Sequence, residues 1–94
     1  MAEEKNFEKR LKAYLESKGA YVIKTWGGGF QRSGIPDLIV CYKGQFLGIE
    51  IKAENGKVSD IQLSHIRRIQ KSDGYGMILR PSDFQAFKEI FEAI

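Results

Sequence analysis

Hydrophobic positions along this chain recur with two periods, and the switches between them mark its elements. Over residues 3–19, EEKNFEKRLKAYLESKG, Phe7, Leu11, Tyr14 and Leu15 return every three or four residues. That spacing predicts a helix with one apolar stripe, and Gly19 is placed to stop it. AYVIKTW (20–26) has the β-branched and aromatic content of a strand, and GGGFQRSG (27–34) breaks regular structure into a loop. PDLIVCYKGQFLGIEIK (36–52) reads as two apolar strands around a tight turn, and Asn-Gly in AENGK marks another turn. In SDIQLSHIRRIQKSDG (59–74), Ser59 and Gln62 form a capping-box signature. Leu63, Ile66 and Ile69, with Ile61 beside them, supply that helix's buried side, and Gly74 ends it. A fourth strand, YGMILR, precedes a closing helix in PSDFQAFKEIFEAI. Ser82 or Asp83 is its expected cap, and Phe84, Phe87, Ile90, Phe91 and Ile94 are expected to face inward. The order α-β-β-β-α-β-α predicts an α/β domain with a mixed sheet and helices on both faces. No repeat or linker divides residues 1–94, so one domain is expected.

The central hairpin carries three charges among apolar neighbours. If Lys43-Gly44 is a two-residue loop, Asp37 falls opposite Glu50, Ile39 opposite Gly48 and Cys41 opposite Phe46. Lys52 then shares the face of Glu50, while Leu38, Val40, Leu47, Ile49 and Ile51 occupy the other face. A three-residue loop would separate Asp37 from Glu50, so the arrangement depends on loop parity. Two opposed carboxylates repel, and either one takes a proton or a cation sits between them. A hard divalent ion satisfies both through oxygen, with Mg²⁺ the usual choice beside phosphate. Lys52 would stand next to that ion, able to orient a water and offset negative charge. Taken singly, Pro-Asp is an ordinary turn and Glu-x-Lys an ordinary solvated strand; their conjunction at matched parity favours the metal reading.

Composition narrows the partners. The 94 residues carry 15 Lys+Arg against 12 Asp+Glu, a net charge of +3, compatible with a polyanion but shared by many proteins. Cys41, the single cysteine, excludes an internal disulfide and a Cys-based zinc cluster. Nothing resembles a signal peptide and no apolar run approaches the about 18 residues of a membrane span, which implies no membrane association and a cytoplasmic location, or host-cell cytoplasm for a viral source. A domain of this size often pairs with a copy of itself, making a homodimer the expectation.

Gly34-Ile35-Pro36-Asp37, then Glu50-Ile51-Lys52, then Gln62 on the next helix together resemble the PD-(D/E)XK nuclease superfamily, and most closely the virus-type replication-repair nuclease (VRR-Nuc) domain. The resemblance spans nearly the whole chain. It implies a restriction-endonuclease-like αβββαβ core with an extra C-terminal helix, and Mg²⁺- or Mn²⁺-dependent cleavage of phosphodiester bonds. Stand-alone members are similar to homodimeric resolvases of branched DNA, so a structure-selective, Holliday-junction-type endonuclease is implied. By the same resemblance Asp37, Glu50 and the Ile51 carbonyl would be metal ligands, Lys52 the catalytic lysine, Glu8 the first-helix acid helping to hold a metal, and Gln62 a residue near the active site. Helical geometry puts Glu8 about 20° from Leu15, at the border of the apolar stripe. Glu4, one turn earlier, is a rival that only the resemblance disfavours, and Gln62 has a competing role as the Ser59 cap partner.

Basic residues supply candidate DNA contacts: Lys24 and Arg32 around the Gly-rich loop, which also holds Trp26, Phe30 and Gln31, and Arg67 and Arg68 with Lys57 and Lys71 around the second helix. Each is also an ordinary solvated residue in isolation, and His65 reads as a surface histidine. No segment reads as a base-recognition helix, so selection by DNA shape is expected. A non-catalytic DNA-binding module on the same fold, or a protein-interaction domain, is the rival class; metal dependence separates them from the enzyme.

Overall fold

The computed structural model describes residues 2–26 and 33–94. Helix α1 spans Ala2–Ser17, followed by β1 (Tyr21–Lys24), β2 (Leu38–Tyr42), β3 (Gln45–Ile51), α2 (Asp60–Lys71), β4 (Tyr75–Leu79), a 3-10 turn (Pro81–Asp83) and α3 (Phe84–Glu92). The strands form one mixed sheet in the order β1-β2-β3-β4, with only β3 and β4 parallel. Parallel strands need a crossover between them, and α2 supplies it.

The hairpin turn has the two-residue form that loop parity required. Lys43 and Gly44 both have positive φ, 51° and 77°, as a primed turn demands, and Leu38, Val40 and Tyr42 pair with Ile49, Leu47 and Gln45. Side chains of this hairpin therefore divide as expected. Leu38, Val40, Leu47, Ile49 and Ile51 are buried with Phe7, Leu11 and Leu15 of α1 and Phe87 and Phe91 of α3. Tyr42 and Phe91 stack with ring centroids 4.2 Å apart, extending this core to the hairpin tip.

Phe46, Gly48 and Glu50 alternate to the opposite face, where α2 lies. Its close approach depends on two glycines paired across β3 and β4, Gly48 and Gly76. A methyl group at Gly48 would run into the Ile69 side chain, whereas one at Gly76 would stand 2.5 Å from the Ile66 carbonyl oxygen. Side-chain tips yield more readily than helix backbone. Gly76→Ala is therefore expected to lower the unfolding free energy in urea by about 2 kcal/mol, with Gly48→Ala costing less than half as much. Equal costs would contradict this seating of α2.

The structure corrects two expectations for the closing segment. Ile90 is 51% exposed, because Phe84, Phe87, Phe91 and Ile94 form the inward stripe and Ile90 falls at its edge. Asp83 stands at the N-cap position of α3, as expected, but its side chain does not cap the helix: its Oδ2 instead accepts from the Arg80 N–H at 2.8 Å, closing the preceding 3-10 turn. In α2 only Ile66 is fully buried; Leu63 and Ile69 are half-buried, and Ile61 is 52% exposed.

Candidate active site

Gly34 has φ +82° and abuts the Ile61 backbone and the Gln62 nitrogen, fastening the segment before β2 to the start of α2. A side chain at Gly34 would meet both obstacles, the left-handed backbone and the helix. Buried Pro36 follows. Thr25 then holds the next two residues, its hydroxyl donating to the Pro36 carbonyl at 2.8 Å and its N–H to the Asp37 carbonyl at 2.9 Å.

Asp37 lies one residue before β2, past the last paired residues, Leu38 and Ile49. Its side chain replaces the missing ladder bond: Oδ2 accepts from the Ile51 N–H at 2.8 Å. That bond brings Asp37, Glu50 and the Ile51 peptide to one end of the sheet. Glu50 is only 3% exposed, the single buried charged residue among those described. Burial, and then the Asp37 charge, push its carboxyl up from 4.5 to about 7, with Lys52 pulling partly the other way. Lys52 Nζ lies 3.8 Å from Glu50 Oε2, and both side chains are largely shielded from water.

Gln62 fills both roles open to it. Its N–H donates to Ser59 Oγ at 3.1 Å and its Oε1 accepts from the Ser59 N–H at 3.0 Å, closing the capping box. Its remaining group, Nε2, donates to Glu50 Oε2 at 3.0 Å. A helix cap thus anchors a donor aimed at the buried carboxylate.

On the other flank, Glu8 accepts from Lys24 Nζ at 3.0 Å, and the same ammonium stands 4.0 Å from Asp37. Lys24, a candidate DNA contact by sequence, is thereby engaged with the acids of the site. Glu4 touches it only through a small charge effect on Glu50. Among the described residues no three His, Cys, Asp or Glu side chains converge closely enough to form a metal cage. Arg67 and Arg68 are exposed on α2, as are Lys57 and Lys71 nearby. Arg32, with Phe30 and Gln31, lies outside the described residues.

The family model of the archaeal Holliday junction resolvases (Hjc) matches residues 2–71. The chain belongs to this resolvase family. A solved VRR_NUC domain is 32% identical to it, with 94% of each chain covered and a TM-score of 0.70. No relative of the chain is found among the curated proteins. The mixed sheet with its flanking helices is thus the restriction-endonuclease-like fold, in a nuclease domain of the VRR_NUC type.

One structural residue of this resolvase-family domain escapes sequence reasoning. Arg80 Nη1 donates to the carbonyls of Ala53 and Gly56 at 2.7 and 2.8 Å, with Glu54 at 3.2 Å, clamping the chain just after Lys52. Arg80 follows β4, and only the parallel pairing of β3 with β4 brings it there; nothing in its local sequence signals the contact. No helix among the described residues is long and apolar enough to cross a membrane.

Proposed function

We propose that the domain is a structure-selective DNA endonuclease that cuts branched DNA with Mg²⁺ or Mn²⁺ held by Asp37 and Glu50, acting as a homodimer. The observation that carries this reading is the buried Glu50 carboxylate, held against Asp37 and aimed by Gln62, with Lys52 beside it.

The donor set fits a hard divalent cation. Burying Glu50 next to a second carboxylate is unfavourable without a proton or a cation, and Lys24 already supplies positive charge to Asp37 and Glu8. A Mg²⁺ site commonly takes one or two carboxylates and keeps several waters, so a three-acid cage is not required. Asp37, Glu50 and the Ile51 carbonyl would be its protein ligands, and Glu8 would act through water. Bound there, the ion would lower the pKa of a coordinated water and neutralise charge building on the phosphate.

The chain's own residues carry the remaining work. Gln62 fixes one Glu50 oxygen, Oε2. Lys52 orients the attacking water for in-line approach to phosphorus and offsets charge on the phosphate oxygens. The bond to the 3′ oxygen breaks, leaving a 3′-hydroxyl and a 5′-phosphate. A homodimer would present two such sites to two strands of a junction.

Shape selection is tested by cleavage of a four-way junction and of linear duplexes carrying the same sequences, in the same Mg²⁺ buffer. The junction is expected to be cut at least about tenfold faster, a difference of about 1.4 kcal/mol in transition-state binding. Preference for one duplex sequence, with no advantage for the branch, would overturn it.

A further inference from the structure

An open cleft of about 420 Å³ lies between α2 and the sheet, lined by Phe46, His65, Arg68, Ile69, Ser72 and Gly74. We propose that this cleft receives one unstacked nucleotide of the DNA strand passing through the active site. The proposal rests on the nuclease reading above and assigns that site a second point of grip.

Position is the first argument. Glu50, Gly48 and Phe46 alternate onto the same sheet face, so the cleft begins about 13 Å from the buried carboxylate along β3. The helix wall follows the same line. Gln62 touches Glu50, and His65, Ile69 and Ser72 continue along α2 at helical spacing. Strand and helix thus both run from the carboxylates to the cleft, with Ile69 packed over Gly48 between them. A stacked strand rises about 3.4 Å per nucleotide, so the occupant would be about four nucleotides from the scissile phosphate, or nearer in an extended strand.

Chemistry of the lining is the second argument. Among the described residues no carboxylate lines the cleft, while Arg68 brings a permanent cation, so the charge suits an anionic partner. Phe46 is 46% exposed and, with Ile69, offers an apolar surface for a flat ring. His65 Nε2 lies 3.0 Å from the Ser33 carbonyl, which can only accept. Nε2 therefore donates in this contact, and Nδ1 is the second polar atom of the ring. Flat ring, polar edge and phosphate together describe a nucleotide, and the volume falls in the ordinary range for small-ligand sites. Such a pocket also selects shape without reading sequence, since a base is removed from its stack most easily at a branch or mismatch.

The test is binding of the full chain, in EDTA, to four-way junctions carrying 2-aminopurine singly at each of the first six positions on either side of the cut. Wild type is expected to raise the fluorescence several-fold at one position. Phe46→Ala should abolish that rise and weaken junction binding about tenfold, within the range for loss of one base–aromatic stack. Phe46→Trp should restore both, and Arg68→Ala should weaken binding and lower its salt dependence by about one phosphate contact. Unchanged binding and fluorescence in Phe46→Ala would overturn the pocket while leaving the nuclease intact. So would a change in oligomeric state with DNA binding retained, which would make the cleft a protein contact. A wild type that neither binds nor cuts junctions would instead overturn the nuclease reading on which the pocket depends.

Discussion

Replacing Glu50 by Gln is expected to make the protein more stable at pH 8 and inactive as a nuclease. The carboxyl is almost wholly buried beside Asp37, and its pKa stands near 7 instead of 4.5. A carboxyl whose folded pKa exceeds its unfolded value keeps its proton in the native state while the unfolded chain has lost it. Stability therefore falls as pH rises from about 4.5 to about 7 and stays reduced above that window. A rise from 4.5 to about 7 corresponds to about 3 kcal/mol, using about 1.4 kcal/mol per pH unit. An amide of the same shape carries no such penalty and still accepts from Gln62 Nε2. It does leave Lys52 without its carboxylate partner, which subtracts from the gain. The net expectation for Glu50→Gln is a gain of about 1–2 kcal/mol in urea at pH 8, shrinking toward zero at pH 4.5. A less stable variant at pH 8 would mean that the Lys52 pair outweighs burial and Asp37 repulsion.

Asp37→Asn is expected to reduce cleavage by about a thousandfold or more while leaving the fold intact. The substituted side chain keeps a carbonyl oxygen that can accept from the Ile51 N–H, so the bond that replaces the next ladder rung survives. The position loses its negative charge and hence its hold on a divalent ion. Loss of several kcal/mol of transition-state stabilisation corresponds to that rate effect. The substitution also removes the second-largest influence raising the Glu50 pKa, so Glu50 should titrate lower in this variant. Retained stability with lost cleavage would identify a functional carboxylate; unfolding would reveal a structural one.

Much of this arrangement is legible in the residues because strand geometry has only two faces. Once Lys43-Gly44 is read as a two-residue turn, alternation alone places Glu50 away from Leu47, Ile49 and Ile51 and toward α2. The capping box at Ser59 is equally local, and the structure closes it with both expected bonds. What sequence could not reveal depends on approach between distant elements. That Gln62 caps its helix and also reaches Glu50 requires α2 to sit close over Gly48 and Gly76, a distance no local pattern encodes. Lys24 engages Glu8 because α1 crosses the end of β1, and Arg80 clamps residues 53–56 because β4 runs parallel to β3. Ile90 misled for a simpler reason: a short helix with many apolar residues has more candidates than its buried stripe has room for.

The most direct test of the central claim is cleavage of an end-labelled four-way junction by wild type and Asp37→Asn, each with Mg²⁺, with Mn²⁺ and with EDTA. Wild type should cut with either metal and not in EDTA, and the folded variant should cut at no more than about a thousandth of that rate. Cutting by Asp37→Asn at the wild-type rate, or no cutting by folded wild type with either metal, would contradict that claim and leave Asp37, Lys52 and the buried Glu50 with a role in structure alone.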